Sequence, residues 1–104
     1  MTHVVVAPVA IRDLAKVLGD LTEDAGERVA AKYRQSFLRL FTLLEAQPGL
    51  GAPRRDLAKE FGQGIRLGIV APYLVFYREQ SDLVTVLRVL HGRQKIDRAK
   101  LRET

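Results

Sequence analysis

The sequence predicts an α+β fold in which an N-terminal strand and a helical hairpin pack on one face of an antiparallel β-sheet. Three observations carry this reading. A β-branched run ends at a proline, two helix-periodic stretches follow with little between them, and three strand-like segments separated by two short turns come last. With 104 residues, 47% of them hydrophobic, the chain has material for one modest core. Residues 1–104 are therefore expected to form a single domain, with a basic tail from about residue 92.

The run "THVVVA" at 2–7 suits a first strand that stops at Pro8, where the sheet would lose a donor. Pro8 also fits a first helical position, because its φ is preset and its missing N–H would be unpaired there anyway. Ile11, Leu14, Leu18 and Leu21 then recur at helical spacing among charged residues, predicting an amphipathic helix of about three turns. A second helix is expected from "DAGE", with Asp24 and Glu27 as a capping box. Its apolar stripe is Val29, Tyr33, Phe37, Leu40 and Leu44, and it ends at Pro48-Gly49. A link of about four residues makes the pair an antiparallel hairpin.

Residues 48–63 hold three glycines and two prolines and show no period, so a helical turn at Leu57 and Phe61 is expected to tie this long connection down. Strands follow at 64–70, 73–78 and 83–91, with turns at Ala71-Pro72 and at 79–82. Symmetric closure pairs residue 70 with 73 and 78 with 83. One face then holds Ile65, Leu67, Ile69, Leu74, Phe76, Leu83, Leu87 and Val89, and should receive the helices. The other holds Arg66, Gly68, Tyr73, Val75, Tyr77, Val84, Val86, Arg88 and Leu90, with Arg66 opposite Tyr77 and Arg88 opposite Tyr73. Such a face reads either as the solvated side of a sheet or, given its valines, as a docking surface. On the docking reading, Arg66, Tyr73, Tyr77, Arg88, His91, Arg93 and Lys95 are candidates for meeting a target. Val75, Val84, Val86 and Leu90 are candidates for meeting a partner, and replacing Arg88 is expected to spare the core.

The chemistry available is narrow. Without cysteine there is no disulfide, thiolate nucleophile or thiolate-bound zinc. His3 and His91 stand without carboxylates at ligand spacing, so neither metal nor cofactor is expected, and a cap-like role suits His91 at a strand end. No glycine-rich phosphate loop or serine with a base partner appears, and no catalytic residue is assigned. No apolar run reaches spanning length and the opening lacks a basic n-region, which together lead to a cytoplasmic expectation with no membrane contact. The net charge of +5, with five basic and two acidic residues over 92–104, is enough to attract nucleic acid or an acidic protein segment, and charge alone does not choose between them.

The ordered strings "APVAIRDLAKV", "QPGLGAPRRDL", "GIRLGIVAPYLVFYR" and "VLRVLHGRQKI" resemble the RelE/ParE toxin superfamily of type II toxin–antitoxin systems, in its ParE-like branch. The resemblance covers nearly the whole chain. It implies a helical hairpin on an antiparallel sheet, a cognate antitoxin that neutralises the toxin, and DNA gyrase as target. Proteins similar to RelE instead cut messenger RNA on the ribosome, and that endoribonuclease is the alternative here. The RelE-like pattern begins its third strand with an arginine and places a Lys-Arg pair and then a tyrosine near the end. This chain has Tyr73 at the first position, His91-Gly92-Arg93-Gln94-Lys95 at the corner and no later tyrosine. The departure points away from nuclease chemistry, which needs a group to activate the 2′-hydroxyl as well as cations for the phosphate. A binding module without toxicity is a third reading.

Overall fold

The computed structural model describes residues 2–93. Strand β1, His3–Val6, runs into helix α1, Pro8–Ala25, with Pro8 at the first helical position. Helix α2 spans Glu27–Ala46. After it come the two-residue strand β2, Ala52–Pro53, a 3-10 turn at Arg55–Leu57 and the short helix α3, Ala58–Phe61. Strands β3, Ile65–Val70, β4, Tyr73–Gln80, and β5, Leu83–His91, complete the chain's described part.

The expected hairpin of helices forms, but its joint differs. Helix α1 continues through Asp24 to Ala25 and the link is Gly26 alone, with no side-chain cap at the start of α2. Gly26 sits at φ +92°, in a region that glycine enters without a Cβ penalty. That one residue turns the chain, so the Asp24–Glu27 capping box is not made. The buried stripe of α1 is also rotated from the one expected. Ala10 is fully buried, Leu14, Val17 and Leu21 pack on the core, and Ile11 is exposed.

The sheet has the order β1-β5-β4-β3-β2, so β1 joins it at the edge and runs parallel to β5, from His3↔Leu83 to Val6↔Val86. The β3–β4 hairpin has the expected register, with Val70↔Tyr73 and Arg66↔Tyr77. The β4–β5 hairpin does not. It closes as Gln80↔Leu83 through Ser81-Asp82, runs regularly to Tyr77↔Val86, then skips Leu87 so that Phe76 meets Arg88 and Tyr73 meets His91. The expected Arg88–Tyr73 pairing is replaced by His91–Tyr73.

The helices cover the face that was expected to be open. Phe37, Leu40 and Leu44 of α2 and Ala10 of α1 pack on Tyr73, Val75, Tyr77, Val84, Val86 and Val89. Gly68 explains part of this choice: a Cβ there would lie 3.2 Å from Leu40 Cδ2, so the glycine lets α2 approach the sheet closely. The opposite face carries a second, smaller cluster of Ile65, Phe76 and Leu90, roofed by Leu57 and flanked by Phe61. That roof is the segment expected to be tied down, and it removes the need for the hairpin on that side. Burying each large apolar side chain contributes about 1.5–3 kcal/mol against an extended-chain reference, so the two-sided arrangement protects both faces of the central strand.

Candidate functional site

The candidate residues divide into those that build the fold and those that reach its surface. Tyr77 is fully buried, and its hydroxyl donates to Pro48 O at 2.9 Å and accepts from Gly51 N–H at 2.8 Å. Arg66 beside it donates through Nη1 to Gly51 O at 2.8 Å and Gly49 O at 3.2 Å, and its Nε lies 3.3 Å from Glu79 Oε1. Together these two side chains fasten the Pro-Gly connection to the sheet. The buried Tyr77 hydroxyl is spent on the protein's own backbone, which removes the target-facing role expected for Tyr77.

Arg88 is also internal. Its side chain is 8% exposed and forms a two-point ion pair with Asp13 of α1, Nε to Oδ2 at 2.7 Å and Nη2 to Oδ1 at 3.0 Å. The same carboxylate accepts from Val89 N–H at 2.9 Å. The bulge in β5 shifts Arg88 out of the alternation that would have set it beside Val75. Val75, Val84 and Val86 have no exposed surface and Leu90 is 8% exposed, so these four are core residues and form no open floor for a partner.

Tyr73 is packed edge-on against Tyr33 and His91 and tilted against Phe37, with ring centroids 5.4 to 5.8 Å apart. Burial, ahead of the nearby Tyr33, Asp20 and Asp24, raises its hydroxyl pKa above the ordinary value. Beyond it the chain turns sharply. Gly92 N–H donates to Pro72 O at 2.7 Å and Arg93 N–H donates to His91 Nδ1 at 2.9 Å, the cap-like use expected for this histidine. Arg93 is exposed. Lys95 and most of the basic tail lie outside the described residues.

Two concave surfaces flank this frame. A cleft of about 500 Å³ at the end of β5 is lined by Asp13, Lys16, Asp20, Asp24, Tyr73 and His91. An open groove of about 750 Å³ separates α2 from β3, with Lys32 and Arg39 on α2 above Leu43, Leu50 and Ile69. Successive residues 67–71 line it, so the strand's edge, rather than one of its faces, borders the groove. Strand β2 covers that edge only at Leu67 and Arg66. Leu43, Leu50 and Ile69 are 44%, 48% and 63% exposed, an apolar floor on the outside of the molecule. None of the groove residues stood among the sequence-derived candidates. Leu43 carried a signal, as an apolar residue off the expected stripe of the second helix, whereas Ile69, expected on the helix-covered face, is instead exposed at the strand's edge.

The chain matches, over residues 4–96, the family described as ParE toxin of type II toxin-antitoxin system, parDE. It is 36% identical over 84 residues to Toxin ParE3 of Caulobacter vibrioides, a match covering 81% of this chain and 80% of that protein. Its fold is similar to a chain of a solved structure described as the chromosomal ParDE TA system from P. aeruginosa. That superposition has a TM-score of 0.69 at 20% identity and covers 88% of this chain and 96% of the other.

Proposed function

Because the chain belongs to the ParE toxins of type II toxin–antitoxin systems, we propose that it arrests growth by binding and poisoning DNA gyrase in the cytoplasm, without catalysis of its own. The observation that carries the non-nuclease part is the His91 corner. Nδ1 accepts from Arg93 N–H at 2.9 Å, so this nitrogen is engaged in closing the chain's own corner rather than open to a proton from a 2′-hydroxyl. Tyr73, at the position where the RelE-like pattern has arginine, is wedged among three rings and supplies no cation. Expression in a bacterial host should give double-strand breaks and an SOS response with translated messages intact. Codon-position cleavage of those messages within minutes, seen by primer extension, would overturn this reading.

The family brings a cognate antitoxin as partner. Its seat on this chain is the groove between α2 and β3, rather than the buried valines of the sheet. Lys32 and Arg39 suit acidic side chains, and Leu43, Leu50 and Ile69 suit apolar ones. A segment that is disordered alone would order on docking and bury this floor. Hydrogen exchange of the toxin–antitoxin complex should show new protection at residues 32–43 and 67–71. Protection confined to α1 and to 52–61 would place the partner elsewhere.

A further inference from the structure

We propose that Asp13 is a positioning residue for the basic corner: its carboxylate holds the bulge in β5, and the bulge decides how His91, Gly92 and Arg93 are presented. The functional half of this rests on the reading that the corner meets the target. From Gln80↔Leu83 to Tyr77↔Val86 the β4–β5 ladder is regular. Continued regularly, it would set Arg88 against Val75, which is fully buried beneath the hairpin, and Leu90 against Tyr73. Instead Leu87 is skipped, Arg88 meets Phe76, Val89 meets Val75 and His91 meets Tyr73.

A bulge leaves an extra residue unpaired, disrupts the ladder locally and bends its strand, so an outside acceptor for the freed backbone donors favours it. Asp13 supplies that acceptor from another element. One carboxylate accepts from Val89 N–H at 2.9 Å and from Arg88 at 2.7 and 3.0 Å, on both residues that follow the skipped one. Every later contact depends on this shift. His91 lies edge-on to Tyr73 at 5.4 Å, Gly92 N–H reaches Pro72 O at 2.7 Å, and Arg93 N–H reaches His91 Nδ1 at 2.9 Å. A slip of one residue would turn each side chain from Arg88 onward to the other face.

The rescue that distinguishes positioning from mere support is a deletion. Removing Leu87 makes the ladder regular while keeping Arg88 against Phe76 and His91 against Tyr73, so the corner no longer needs Asp13. The experiment compares the wild type, Asp13→Ala, and Asp13→Ala combined with deletion of Leu87. Cross-strand NOEs between residues 73–76 and 88–91 report the register, and growth inhibition is measured at matched levels of soluble protein. Asp13→Ala should lose the Tyr73–His91 contacts and inhibit at least about tenfold less, the loss of one good interface contact. Deleting Leu87 in that background should restore both. Retention of the contacts and of full inhibition in Asp13→Ala overturns the proposal. So does restored contact without restored inhibition, and so does failure of both variants to fold, since a positioning residue must be separable from the fold. A wild type that fails to arrest growth would count against the toxin reading instead, and the NOE arm would still report whether Asp13 sets the register.

Discussion

Replacing Arg88 by alanine should destabilise the protein by about 3–5 kcal/mol, the cost of removing one partner from a buried ion pair. The side chains of Arg88 and Asp13 are only 8% and 14% exposed, so water cannot replace the guanidinium and the carboxylate is left buried with Val89 N–H as its remaining described donor. This corrects the expectation that Arg88 could be removed without touching the core. Lysine should recover only part of the loss, because an ammonium cannot reproduce the two parallel bonds to one carboxylate. Combining Arg88→Met with Asp13→Leu should recover more, leaving chiefly the unmet Val89 N–H, which costs about 1–3 kcal/mol. Urea midpoints of the three variants measure this. An Arg88→Ala loss below about 1 kcal/mol, the range of exposed pairs, would show that the pair is screened by solvent.

Tyr77→Ala should be nearly as damaging. Removing this fully buried ring creates a large cavity costing about 3–5 kcal/mol, comparable with the whole stability of a small domain. Tyr77→Phe keeps the ring and isolates the hydroxyl, leaving Gly51 N–H and Pro48 O unmet for about 1–3 kcal/mol. The same hydroxyl makes stability depend on alkaline pH. Burial raises its pKa in the folded state, outweighing the hydrogen bond from Gly51 and the charge of Arg66, which lower it. The unfolded chain therefore gives up this proton first, near pH 10. The contribution is complete below about pH 10 and is lost as pH rises through the folded value. Thermal midpoints followed into alkaline solution should fall less steeply for Tyr77→Phe than for the wild type. Parallel curves would mean that the hydroxyl titrates alike in both states.

The elements were legible because each has a local cause. Pro8, the spacing of Phe37, Leu40 and Leu44, and the two-residue turn before Tyr73 all act over a few positions. What escaped depends on contacts far apart in sequence. The skipped Leu87 leaves no mark on the hydrophobic pattern, since Val86 and Val89 read as strand residues whether or not one position is passed over. Its cause is Asp13, 75 residues away. The orientation of the sheet escaped for a different reason. Tyrosine reads as a polar surface residue in the sequence, yet Tyr73 packs its ring against Tyr33, Phe37 and His91, and Tyr77 buries its ring while its hydroxyl bonds to the backbone. Gly68 was the available sign, because a glycine in mid-strand marks a close approach and so points to the face that receives a helix. The helix joint failed on Gly26, where one residue does the work expected of four.

The proposed action of this toxin is to bind gyrase and leave RNA alone. The most direct measurement incubates the purified protein with gyrase, ATP and supercoiled plasmid, with a ribosome-bound message followed in parallel. The expected result is accumulation of linear plasmid after protein digestion, the signature of a trapped cleavage complex, with the message uncut. Unchanged gyrase activity together with cleavage of the message would contradict the proposed gyrase poisoning.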